Sequence, residues 1–214
     1  MVITILKMKN SLENLSISLT LQYLKKYPDQ ATKYCKTNEK QVLNIKKSLN
    51  DKILPNIRTT VADNLTSELL ELVFNHEKKD RDKIQNNYNN QKQIEMMIGK
   101  LLERYIANIG NKYGWAFTGE CIKSVDFIKK EGIRWTTLQV KNSDNTENSS
   151  SQSVRDGTKI LKWVRRNSKK GTYLWDKFPD ENLKNNLSEL EFSKFVKNHF
   201  KNNAESLKIF FKSR

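Results

Sequence analysis

The chain has 214 residues, room for one domain with a sizeable core or one domain with an attached helical subdomain. Its 39 Lys and Arg against 24 Asp and Glu leave a formal charge of 39 − 24 = +15, which favours a polyanionic partner, nucleic acid first and an anionic membrane surface second. No apolar run approaches bilayer length, Met1–Leu6 is too short for a secretory core, and Cys35 and Cys121 are too few for a disulfide framework or a structural zinc site.

A cytoplasmic protein without membrane attachment is therefore expected, with both cysteines as ordinary thiols. His76 and His199 stand alone, each on a predicted helix without a second ligand at i+3 or i+4, and read as surface histidines.

The first hundred residues carry helical periodicity. Leu12, Leu15, Leu19 and Tyr23 form one stripe ending near Pro28, Val42, Ile45 and Leu49 a second, and Leu65, Leu69, Leu72 and Val73 a third, capped by Asp63 or Thr66. All three read as core faces. Between His76 and Gln93 the apolar stripe fades into Glu77–Lys83 and the Asn-rich run Asn86–Asn90, which predicts an exposed helix end and a mobile loop. That break divides the chain into a helical N-terminal region, 1–92, and a core, 93–214.

From Ile94 to Ile109 a strongly amphipathic helix is predicted, closing near Gly110. Gly99, one turn before Glu103, marks a place where the backbone can approach another element. Glu103 either pairs with Lys100 or Lys112, or reaches over a sheet to support a metal site.

Tyr113–Gly119 reads as a turn and a strand leading on to a hairpin formed by Ser124–Ile128 and Leu138–Lys141 about Gly132. Facing residues of an antiparallel pair sum to a constant, which sets Asp126 opposite Gln139, with Lys141 on the same face as Gln139. A carboxylate, an amide oxygen and the carbonyl of Val140, completed by a phosphate oxygen, suit Mg²⁺. Lys141 is then placed to polarise or deprotonate a water, or to neutralise charge in phosphodiester hydrolysis, although a solvated strand lysine has the same signature. Glu120 lies an even number of residues before Asp126, but six residues of strand span about 20 Å, so it joins the site only if the chain bends at Gly119 or beyond.

Asn142–Ser151 is polar throughout, dense in amides and hydroxyls that pair with bases and phosphates. It leads into Arg155, Lys159, Lys162, Arg165 and Arg166, read as the basic face of a helix. Asn142, Asn145, Asn148, Ser149, Arg155 and Lys159 are the candidate DNA contacts, with a flexible linker and a solvated helix face as the plainer reading. A turn at Trp175–Pro179, a helix over Leu187–Phe200 and a basic tail complete the chain.

The words Leu138–Ser151, Val154-Arg155-Asp156-Gly157-Thr158, Lys162-Trp163 and Trp175-Asp176-Lys177-Phe178-Pro179, with Gly119-Glu120 and Val125–Ile128 upstream, resemble the type II restriction endonucleases of the SinI kind. The likeness covers about residues 94–180; the first ninety carry no motif that can be placed. It implies an α/β fold with a PD-(D/E)xK core, a central mixed sheet flanked by helices, and Mg²⁺-dependent cleavage of double-stranded DNA. Carried over, Val125-Asp126 stands for the P-D element and Gln139-Val140-Lys141 for (D/E)-x-K, with Gln139 departing from the acid. Glu103 then compensates, or fewer ions bind. GG(A/T)CC, a cognate DNA methyltransferase and unmethylated DNA as substrate are further implications, and a twofold target is read most simply by a homodimer. The rival readings are a structure-specific repair nuclease on the same fold and a non-enzymatic basic nucleic-acid-binding module.

Overall fold

The computed structural model describes residues 2–55, 64–74, 77, 80–144 and 160–212. The described helices are α1 (Val2–Lys26), α2 (Asn38–Asn50), α3 (Asn64–Phe74), α4 (Arg81–Gly110), α5 (Glu181–Lys184), α6 (Glu189–Asn202) and α7 (Ala204–Lys212). The strands are β1 (Trp115–Ile122), β2 (Val125–Glu131), β3 (Arg134–Ser143) and β4 (Ile160–Arg166), in the sheet order β1-β2-β3-β4. The first three are antiparallel and β4 runs parallel to β3. A parallel pair needs a crossover of a dozen residues or more, and here the connection runs through residues 145–159, outside those described.

Two compact units result, residues 1–52 with 101–197, and residues 53–100 with 198–214. The boundary read from the sequence, between 92 and 93, falls inside α4, and α1 and α2 group with the sheet. The first unit holds the expected mixed sheet flanked by helices.

Sequence explains most elements in that unit. Thr37 caps α2 by accepting from Lys40 N–H, and Asp180 caps α5 by accepting from Leu183 N–H. Gly132 opens the two-residue turn between β2 and β3 at φ +59°, a conformation free of steric cost only for glycine. One face of the sheet buries Ala116 and Ile128 against Tyr23, Leu24, Cys35 and Ile45. On the other side Trp163 stacks on Trp175 and Phe178 at 5.1 and 5.0 Å.

The edge strand β1 is covered rather than left open. Ser16 Oγ accepts from Phe117 N–H, Thr32 N–H donates to the Cys121 carbonyl, and Ala31 forms an antiparallel bridge with Ile122. The α1 face toward the sheet is consequently centred on buried Ser16 and Thr20, one position round from Leu15 and Leu19, which are only half-buried.

Several expectations are corrected. The Asn-rich run predicted as a loop is helical, part of α4, with Asn89 and Gln93 buried and Gln85 bonded to Asn89 one turn on. Amides four apart support a helix without an apolar stripe, which hydrophobic periodicity cannot register. On α3, Leu65, Leu69, Leu72 and Val73 are exposed instead of forming a core face. A Cβ at Gly99 meets nothing within 4 Å among the described residues, so this glycine marks no close approach. Residues 160–166, read as helix, form β4: Ile160, Trp163 and Val164 are β-formers, and the stretch is too short for a helical repeat to outweigh them.

His199 Nε2 lies 3.0 Å from the Ile53 carbonyl, a satisfied histidine as expected, while His76 lies outside the described residues.

Candidate active site

The β2–β3 pairs run from Glu131↔Arg134 to Phe127↔Leu138, each summing to 265. Continued by one residue, the same register sets Asp126 beside Gln139, as the hairpin argument expects. The paired ladder stops there. Val140 N–H donates to Asp126 Oδ2 at 2.7 Å, while the Val125 carbonyl accepts from Thr118 Oγ1 at 2.6 Å. A carboxylate thus takes a β3 backbone donor, and its position is fixed by a charge-assisted bond to the segment that carries Gln139 and Lys141.

Alternation puts Gln139 and Lys141 on one face and Leu138 and Val140 on the other. The burial record agrees: Leu138 and Val140 are buried, while Asp126, Gln139 and Lys141 are half-buried, a setting accessible to a ligand.

Glu120 occupies an unexpected place. β1 and β2 are separate strands that reverse at Lys123-Ser124, where Ser124 takes φ +51°. Pairing jumps from Phe117↔Phe127 to Ile122↔Val125, so residues 118–121 stand opposite Asp126 alone. The separation argued from a single extended strand therefore does not apply. Gly119 at φ +58° and Glu120 at φ +63° form this bulge, and a Cβ at Gly119 would lie 2.8 Å from Ile45 Cα. Asn44 donates to the Gly119 carbonyl and Thr32 Oγ1 to the Glu120 carbonyl, which pins the bulge and leaves the Glu120 side chain exposed.

Glu103 is half-buried on α4. The adjoining Arg104 donates to the Ser48 and Asp51 carbonyls, fastening this turn of α4 to the end of α2, and burial lowers the Arg104 pKa.

Asn142 faces away from Gln139 and Lys141. Its amide oxygen accepts from Arg165 Nε at 2.9 Å, and Arg165 is buried, paired with Glu189 and stacked over Phe192 and Tyr173. Arg165 is thus a core hub rather than part of a DNA-facing helix, and Trp175 Nε1 completes it by donating to Glu189. Asn145, Asn148, Ser149, Arg155 and Lys159 lie outside the described residues.

The two cysteines, far apart in sequence, meet. Cys35 and Cys121 are buried with sulfurs 2.7 Å apart beneath the bulge, and burial followed by the neighbouring thiol pushes Cys121 far above its ordinary pKa. No sequence spacing signals this contact.

Asp126 Oδ, the Gln139 amide oxygen and the Val140 carbonyl are hard oxygen donors of the kind Mg²⁺ takes, with one or two carboxylates and substrate phosphate the usual complement. Among the described residues no three His, Cys, Asp or Glu side chains converge as a metal cluster.

A mixed four-stranded sheet, flanked by helices and carrying an acid, an amide and a lysine where two strands part, is consistent with the restriction-endonuclease-like class of α/β folds. The chain belongs to the SinI restriction endonuclease family, which it matches over residues 16–202. The match takes in α2 and the second part of α1, from residue 16 on, so N-terminal helices in which no motif is placed from sequence lie within the family match. Among curated relatives it is 42% identical over 148 residues to the type II restriction enzyme Eco47I of Escherichia coli, covering 68% of this chain and 64% of that protein. It is 38% identical over 150 residues to the type II restriction enzyme SinI of Salmonella infantis, covering 69% of this chain and 65% of that protein. In both cases the matched part is a little under two thirds of the relative's own length.

Proposed function

We propose that the protein is a type II restriction endonuclease that hydrolyses phosphodiester bonds in unmethylated double-stranded DNA at GG(A/T)CC-like sites, with Mg²⁺ as cofactor. The observation that carries this reading is the bond from Val140 N–H to Asp126 Oδ2, which holds an acid against Gln139-Val140-Lys141 in a chain of the SinI family.

Asp126, the Gln139 amide oxygen and the Val140 carbonyl would hold the ion, with Glu120 and Glu103 as supporting acids. When bound, Mg²⁺ supplies Lewis-acid stabilisation of the phosphate and a more acidic water. The chain's own work is positional and electrostatic. Val140 fixes Asp126, the pinned bulge fixes Glu120, and Lys141 presents its ammonium to the oxygen on which negative charge develops as the P–O bond breaks. A formal charge of +15 draws the protein to the polyanion. Asn145, Asn148, Ser149, Arg155 and Lys159 remain our candidates for DNA contact, and Asn142 contributes by orienting Arg165 behind the site. A homodimer reads a twofold target most simply, and a cognate DNA methyltransferase would protect the host DNA. No described helix is long and apolar enough to cross a membrane, and a cytoplasmic location fits an enzyme acting on intracellular DNA.

Incubation with unmethylated phage DNA, with Mg²⁺ and with EDTA, followed by sequencing of fragment ends, tests the reading. Reproducible ends sharing one motif and absent in EDTA are the expected result. Salt-sensitive binding without cleavage would refute it in favour of a basic binding module, and nicking governed by DNA structure would indicate a repair nuclease.

A further inference from the structure

We infer that Lys162 is a substrate-binding residue of this site, gripping a DNA phosphate beside the scissile bond. The inference rests on the nuclease reading above and extends it to a residue on a different strand. β3 and β4 are parallel, with Gln139↔Lys162, Val140↔Trp163 and Lys141↔Val164 as facing pairs. Partners across a ladder share a face. Trp163 is buried, its ring against Trp175 and Phe178, on the side occupied by Val140. Lys162 therefore projects from the opposite side, with Gln139, Lys141 and Asp126.

Lys162 is exposed, and its ammonium makes no ion pair with any described residue. The residue at 139 explains why that matters. A carboxylate there would be a cross-strand ion-pair partner for Lys162, and the neutral amide of Gln139 is not. Two lysines, 141 and 162, thus flank an uncharged ligand position, one along the strand and one across it. Beside the acids that would hold the cation, that face thus has two ammonium groups to offer an anion, and the anion that the site's chemistry brings there is a phosphodiester. Lys141 is placed along β3 for the reacting phosphate, and Lys162, on the neighbouring strand, for a phosphate oxygen displaced laterally from it.

The test compares wild type with Lys162→Met, Lys162→Gln and Lys162→Arg. Equilibrium binding to a mixed-sequence duplex is measured in EDTA across a salt series, alongside single-turnover cleavage in Mg²⁺. Removing one phosphate contact lowers the slope of log K against log salt by about 0.9 for each bound chain. The expected result is that loss in the Met and Gln variants, cleavage slowed on the order of tenfold to a hundredfold, and recovery of both by Arg. A merely structural role would leave the salt slope untouched. The inference is overturned if the Met and Gln variants, folded by circular dichroism, match wild type in slope, whatever their rate. A wild-type protein that binds but never cuts overturns the nuclease reading instead, and the slope alone then decides the phosphate contact.

Discussion

In the proposed site Asp126 serves two ends, anchoring β3 and holding a cation, and two substitutions separate them. In Asp126→Ala the Val140 N–H loses its acceptor. Val140 is 7% exposed, so solvent replaces the bond poorly, and a buried donor left unpaired costs about 1–3 kcal/mol. For a chain of this size that lowers Tm by about 2–4 °C per kcal/mol. Asp126→Asn keeps a carbonyl oxygen in reach of the same N–H and gives up only the charge assistance, about 1 kcal/mol or less. The charge on the ligand is lost in both. With several kcal/mol of transition-state stabilisation tied to the cation, both variants should cut DNA at least about a thousandfold more slowly. Thermal melts in EDTA and single-turnover cleavage in Mg²⁺ provide the two readouts. The expected pattern is Asn close to wild type in stability, Ala clearly below it, and both inactive. An Asn variant that cuts within tenfold of wild type would reduce Asp126 to a strand anchor and remove it from the site.

Other consequences are as direct. Gly119→Ala must hold an alanine at φ +58° with its Cβ against Ile45, and should lose about 2–4 kcal/mol in urea unfolding; a loss under 0.5 kcal/mol would mean that α2 does not press on the bulge. The Asp180 carboxylate accepts from Lys129, Leu183 N–H and Trp115 Nε1, and these bonds outweigh the upward push of burial, leaving its pKa lowered. Because the folded value lies below the unfolded one, its stabilisation is complete above the ordinary carboxylate pKa of about 4 and drains away as pH falls through the folded value. Asp180→Asn should therefore be less stable than wild type by about 2 kcal/mol at pH 7, with the gap closing below pH 4; a gap independent of pH would contradict the assignment. Cys121, buried and with its pKa pushed up, should resist iodoacetamide in the native protein at pH 8 and react fully in denaturant, and rapid native labelling would place it at the surface.

The β2–β3 hairpin is legible because its determinants are local. A turn glycine and the period of two fix which residues face one another, and 126 and 139 follow from arithmetic alone. β4 was not legible, because Arg165 and Arg166 make a short apolar segment look like a basic helix. Only the tertiary partners Glu189 and Asn142 explain why an arginine is buried in a strand. The apolar stripe on α3 is as regular as that on α2, yet Val73 is exposed while Ile45 is buried, since periodicity reports that a stripe exists and not what covers it. The Cys35–Cys121 contact depends on segments 86 residues apart, for which a single sequence carries no signal.

The same distinction bears on the acid that the proposed site lacks at position 139. Read as one extended strand, 120–126 puts Glu120 out of reach, and Gln139 leaves the site one charge short. Two left-handed residues and a two-residue reversal change that arithmetic by folding the segment back on itself, so that Glu120 stands across from Asp126. A bulge in this position costs backbone strain, and it persists because Asn44, Thr32 and the close approach of Ile45 hold it. Those three residues belong to the N-terminal helical region. In the proposed site their part is to keep the strand β1 bent, and all three lie within the stretch, residues 16–202, that matches the family.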